Sequence, residues 1–284
     1  MHGHEIDLPG RSRPAIPAGI LEGGVVAIAR HLAASRVEAI ADALLEGGVL
    51  AFELTLNEPQ ADALRAIEAA ARHATGTPLG IGAVTVLTHE AARRATDAGA
   101  TFLVMPHTDP GLVTWAADQG IPVFPGAATP TEVLAGWQAG AAAVKVFPAS
   151  TLGPTFVREL RGPFPDIPLL PSGGITLADV AAFIRAGAVG IGMGSWLTAD
   201  GDATAITSRA RHVTTAVQEA RPTPRAGHEP PHRQGASRPT DRRRPSTPAA
   251  TSRTCKAAHL PRRSHHHGPY AMLSHERLFL PETA

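Results

Sequence analysis

Lys145 is the only lysine in the first 255 residues, and it lies inside the apolar run Ala143-Val144-Lys145-Val146-Phe147-Pro148. The other 14 Lys-or-Arg positions of residues 1–221 are all arginine, so position 145 needed more than a positive charge. Burying an ammonium costs solvation and lowers its pKa, and the neutral amine so obtained attacks a ketone carbon. A lone carboxylate stands in a matching context, Phe52-Glu53-Leu54. Together they could form an imine and move the protons that imine chemistry requires. A structural lysine–carboxylate pair at the core edge accounts for the same residues, and at this level both readings stand.

The elements that must position these groups alternate strand and helix. Continuously apolar runs at 25–29, 49–54, 79–84, 101–105, 122–124, 142–146, 167–170 and 189–193 read as strands buried on both faces. Helical spacing follows each, at 36–46, from Pro59 to about 73, then 90–98, 111–118, 132–138, 155–160, 177–186 and a last helix ending near 219. Eight such units predict a closed (β/α)8 barrel, the TIM-barrel architecture, with residues 14–23 forming a helix that caps its N-terminal face. Chemistry in such a barrel sits at the C-terminal ends of the strands. In strand order those ends carry Arg30, Glu53 with Thr55, Thr85, Pro106-His107, Pro125-Gly126, Lys145, Ser172-Gly173-Gly174 and Gly194-Ser195. The two glycine-rich turns follow the seventh and eighth strands, where backbone N–H groups can cradle a phosphate. Each turn alone could merely need a positive φ; the pair at these two positions predicts a phosphate site.

Composition divides the chain in three. Residues 1–13 are expected to be disordered, 14–221 to form the barrel, and 222–284 to be a disordered basic tail. The body carries a formal balance of −6 and the tail +7, and the tail holds 10 of the 26 prolines and 7 of the 14 histidines. Such a segment buries too little apolar surface to offset its ordering entropy. Its arginine clusters could bind nucleic acid, but no interleaved aromatics accompany them, so that role is not expected. Cys255 is the single cysteine, which excludes an intrachain disulfide. No apolar run is long enough to span a bilayer, and a cytoplasmic protein is expected. No cluster has metal-ligand spacing, so neither metal nor cofactor is expected.

Several segments carry a family resemblance: Glu53-Leu54-Thr55-Leu56, Gly82-Ala83-Val84-Thr85-Val86-Leu87, Ile121-Pro122-Val123-Phe124-Pro125-Gly126 and Val144-Lys145-Val146-Phe147-Pro148. Gly162-Pro163-Phe164-Pro165, Pro171-Ser172-Gly173-Gly174-Ile175-Thr176 and Gly194-Ser195-Trp196-Leu197 continue it in order through nearly the whole body. The body thereby resembles the class I aldolases that cleave 2-keto-3-deoxy-6-phosphogluconate and 4-hydroxy-2-oxoglutarate. The resemblance implies Lys145 as the imine former, Glu53 as general acid–base, and Thr55 and Thr85 lining the pyruvate half. It also implies Pro125 and Phe147 as apolar walls, and a homotrimer.

The expected reaction is cleavage of the phosphorylated gluconate acid to pyruvate and glyceraldehyde 3-phosphate, with 4-hydroxy-2-oxoglutarate as a second substrate. Three departures bear on this. Asn57 replaces an arginine common in the family, and Asn57-Glu58-Pro59-Gln60 with Gly153-Pro154 looks like the branch acting on the galactonate epimer, which is the alternative. Ser172-Gly173-Gly174 looks like the gluconate branch. Val84 replaces a glycine and should narrow the pocket floor. With that arginine gone, Arg30 is the expected partner of an anionic substrate group. A phosphate-binding isomerase or synthase barrel, with the lysine only a charge partner, is the competing enzyme reading.

Overall fold

A computed structural model describes residues 13–56, 60–198 and 202–222. Eight strand positions, all parallel, build the sheet: β1 Val25–Ala29, β2 Ala51–Thr55, β3 Gly80–Val84, β4 Phe102–Val104, β5 Val123–Phe124 with β6 Gly126–Ala127, β7 Val144–Val146, β8 Leu169–Pro171 and β9 Ile191–Met193. Hydrogen bonding runs β5-β4-β3-β2-β1-β9 in one piece and β6-β7-β8 in the other. The pieces join at both seams. A Ser172–Gly192 bridge links β8 to β9, and Pro125 alone separates β5 from β6. Proline has no N–H to give a ladder, so the fifth barrel strand, read from sequence as one run, is two short pieces.

Helices cover the outside: α1 Ala18–Gly23, α2 Ala34–Glu46, α3 Gln60–His73, α4 His89–Asp97, α5 Pro110–Asp118, α6 Pro130–Gln138, α7 Ala149–Leu160, α8 Val180–Arg185, α9 Ser195–Thr198 and α10 Ala203–Ala220. Local signals explain their starts. Thr129 and Glu132 form a reciprocal capping box at α6, and Asp109 accepts the N–H groups of Gly111 and Leu112 at α5. The helix expected from 155 begins at Ala149 and is broken by Gly153, whose φ of 73° precedes Pro154. The last helix packs on α2: Gly47 lets α2 meet α10, where a Cβ would stand 2.2 Å from that of Ala210.

The strand period of two sorts each strand's side chains into two cores. Leu54, Leu103, Val144 and Ile191 face the helices, whereas Val26, Ile28, Val84, Phe102, Phe124 and Leu170 fill the barrel. Ile20 of α1 joins that inner cluster, so the capping helix plugs the N-terminal end. It is shorter than the expected 14–23, because Pro14 and Pro17 hold the preceding chain out of the helix.

Gly82 makes room inside the barrel. A Cβ there would lie 2.2 Å from the Phe102 ring, which itself meets Phe124 edge-on at 5.8 Å. The Gly82→Ala variant should lose roughly 2–3 kcal/mol of stability, seen as a lower urea midpoint at unchanged slope. An unchanged midpoint would show that the ring can step aside.

The expected disordered segments 1–13 and 222–284 fall almost entirely outside the described residues. So does Asn57, on which one of the epimer arguments rests. Among the described residues no helix is long and apolar enough to cross a membrane.

Candidate active site

At the C-terminal mouth of the barrel lies a cavity of about 430 Å³. β7 carries Lys145 into it, and Arg30, Thr55, Thr85, Phe147, Ser172, Gly173, Gly174, Gly194 and Ser195 all line it. Alternation explains the selection. Lys145 on β7 and Phe147 just past its end point inward while Val146 packs against the helices. On β2, Thr55 lines the cavity and Glu53, one inward step below, is buried.

Two expected members sit elsewhere. Glu53 is only 2% exposed and lies outside the cavity wall, yet its charge is felt by Lys145. Pro125 is not a wall of the cavity. Phe124 takes the inward position, so the Pro125 ring turns outward, 2.8 Å from where a Cβ on Gly136 of α6 would stand. Its contribution is a carbonyl that accepts the Lys145 backbone N–H at 2.9 Å. Pro106, which its strand end places at the mouth, lines the cavity, as do Ile175, Thr176 and Trp196, which the strand ends do not name. Pro106 follows the same alternation, being two residues past the inward-facing Val104. Val84 does form part of the lining, as its bulk at the floor suggested.

The electrostatics follow from burial. Lys145 is 4% exposed, and desolvation pulls its pKa down; the Glu53 charge opposes this and the Arg30 charge adds to it. Desolvation pushes Glu53 up to about 7, against the pull of Lys145 and Arg30. The pair therefore holds an amine that loses its proton readily and a carboxyl poised to gain or lose one near neutrality. The Lys145 ammonium position is 5.1 Å from the Phe147 ring centre, so an aromatic face shields it from water.

Thr55 is fixed by donating its hydroxyl to the Ala29 carbonyl at 2.8 Å. Thr85 has a φ of 68°, a left-handed backbone that costs a β-branched residue energy. Strain of that kind persists where the surrounding structure overdetermines it.

The opposite wall is backbone. Gly173 and Gly174 have φ of 94° and 73°. A Cβ on Gly173 would stand 2.8 Å from the Phe147 ring, and one on Gly174 2.5 Å from the Ser150 hydroxyl. Among the described residues neither Gly173 nor Gly174 donates its N–H to a backbone carbonyl, which leaves two donors for an anion. Those residues contain no group of three or more His, Cys, Asp or Glu able to hold a metal ion.

A family model described as KDPG and KHG aldolase matches residues 17–210, the barrel almost from end to end. The chain belongs to that family. Its members are class I aldolases, carbon–carbon lyases that work through an imine. The chain is similar to a protein of Rhizobium meliloti named probable 2-dehydro-3-deoxy-6-phosphogalactonate aldolase, 37% identical over 64% of this chain and 85% of the relative. A 2-dehydro-3-deoxy-phosphogluconate aldolase of Pseudomonas aeruginosa is 35% identical over 56% of this chain and 70% of its own length. Among solved structures, one titled native KDPGal structure aligns with a TM-score of 0.65 at 32% identity, covering 69% of this chain and 95% of that one. Family membership thus makes the barrel mouth the place to look for aldolase chemistry.

Proposed function

We propose that the protein cleaves 2-keto-3-deoxy-6-phosphogalactonate to pyruvate and glyceraldehyde 3-phosphate. The observation that carries the chemistry is the buried Lys145–Glu53 pair beneath a cavity whose far wall is the glycine turn at 173–174. The Lys145 amine attacks the C2 ketone, and the carbinolamine loses water to give a protonated imine. Glu53 supplies the proton that makes the hydroxyl a leaving group. Glu53, now a carboxylate, takes the proton of the C4 hydroxyl. The C3–C4 bond breaks, its electrons pass into the imine as an enamine, and glyceraldehyde 3-phosphate departs. C3 then takes a proton, and water releases pyruvate from Lys145. Arg30 balances an anionic group of the substrate, and the N–H groups of Gly173 and Gly174 with the Ser172 and Ser195 hydroxyls receive the phosphate.

The galactonate epimer, the alternative on sequence, is preferred here over the gluconate one. The similarity to the Rhizobium meliloti protein and to the structure titled native KDPGal supports it. The Gly153-Pro154 pair, which looks like that branch, is a further reason for this choice. Offered both C4 epimers and 4-hydroxy-2-oxoglutarate, the protein should release pyruvate from the galactonate epimer with kcat/KM at least about 10-fold above the others. A clear preference for the gluconate epimer would return the assignment to the first expectation.

A further inference from the structure

Beside the catalytic cavity, sharing Ile28, Arg30 and Ser195 with it, is a second cavity of about 300 Å³. Its remaining wall includes His31, Ala33, Arg36 and Thr198. Two arginines face it and no described carboxylate does. Neither Arg30 nor Arg36 makes a side-chain hydrogen bond or an ion pair among the described residues, whereas Arg65 and Arg211 pair with Asp62 and Glu46.

This corner breaks local rules of stability three times. His31 is not glycine yet has a φ of 51°. Ala33 begins the 13-residue helix α2 without any side-chain cap. Arg36 is the third residue of that helix, and its first turn holds no acid. A cation there opposes the positive end of the helix dipole and costs the helix stability. Departures of this kind concentrate where a site uses the residue for something else. Here the use is at hand: Ser195, the first residue of α9, lines both cavities, so positive charge in the annex acts on whatever anion sits against it.

The geometry points to Arg36 as a specificity-determining residue that, with Arg30, selects the phosphorylated end of the substrate from the annex side. This rests on the aldolase reading of the same cavity. The Arg36 charge lowers the energy of a phosphate dianion held against Ser195 and, unlike that of Arg30, is not among the charges acting on Lys145, so it should act on binding and leave turnover alone.

The test uses the full chain as Arg36→Ala and Arg36→Lys. In the alanine variant, KM for 2-keto-3-deoxy-6-phosphogalactonate should rise about 10-fold with kcat within twofold. The pyruvate concentration giving half-maximal borohydride trapping should stay within twofold of wild type, because pyruvate carries no phosphate. Lysine should recover most of the lost KM. Equal changes for both ligands, or no change in KM, would overturn the inference. A thermal midpoint at or above wild type excludes a merely structural role, since removing the cation relieves α2. Titration with inorganic phosphate, followed by Trp196 fluorescence, judges Arg36 independently of activity. Weaker phosphate binding in Arg36→Ala supports the inference even if wild type neither traps nor releases pyruvate, a result that would sink the aldolase reading alone. Unchanged phosphate binding counts against Arg36.

Discussion

Lys145→Ala is expected to abolish pyruvate release, with kcat down by ~10⁴-fold or more, as when a covalent nucleophile is removed. No second lysine lies in the barrel, since Lys145 is alone through residue 255, so no neighbouring amine can substitute. Lys145→Arg should fare no better, because a guanidinium stays protonated and cannot attack a ketone. Borohydride with pyruvate should label wild type at Lys145 and leave both variants unlabelled, read by peptide mass. Retained labelling in the alanine variant would place the imine elsewhere and remove the mechanism's foundation. The loss will not come from unfolding. Burial holds the folded-state pKa of Lys145 below its unfolded value, so the lysine costs stability as pH falls through that folded pKa. Replacing it relieves that cost, and the thermal midpoint at neutral pH should hold or rise.

Glu53→Gln should lower kcat by about 10²-fold or more while still allowing slow imine formation. The amide keeps the shape of the carboxyl but cannot take the C4 proton. In wild type, kcat/KM should fall as pH rises through about 7, where Glu53 loses the proton that carbinolamine dehydration needs, and that inflection should vanish in the glutamine variant. A pH profile identical in both proteins would assign the limb to another group.

Stability supplies an independent check, one in which the glutamine variant gains. The folded pKa of Glu53 is raised from 4.5 to about 7, so the folded state holds this proton more tightly than the unfolded chain. The corresponding stability is complete below 4.5 and is lost as pH climbs to 7. At pH 8 Glu53→Gln should therefore be the more stable protein, by up to about 3 kcal/mol, and near pH 4.5 the two should match. Equal stability at both pH values would mean that Lys145 neutralises the buried charge fully.

Much of the site is legible in residue type and spacing. A solitary lysine in an apolar strand and a solitary glutamate in another announce themselves by residue type, and eight strand–helix units say which ends converge. Pro125 was misplaced because a proline interrupts the strand, and with it the count that says which side chains point inward. Arg36 escaped notice because nothing in one-dimensional spacing links the first turn of α2 to α9, more than 150 residues later. Trp196 has no such signal, since a residue beyond a strand end has no pleat to assign its direction.

Residue order alone dictates the parallel strand–helix alternation, the identity of the reactive groups and the placement of glycine where Phe102, Phe147 and Ser150 leave no room for a Cβ. Folding is what sets β2 and β7, some 90 residues apart, across one interior from each other. Barrel closure at the Ser172–Gly192 bridge and around Pro125 brings them there. The acid–base character of the pair arises at the same step. An isolated strand leaves lysine and glutamate in water at their ordinary pKa values; enclosure removes the water, and desolvation is the largest influence on both groups.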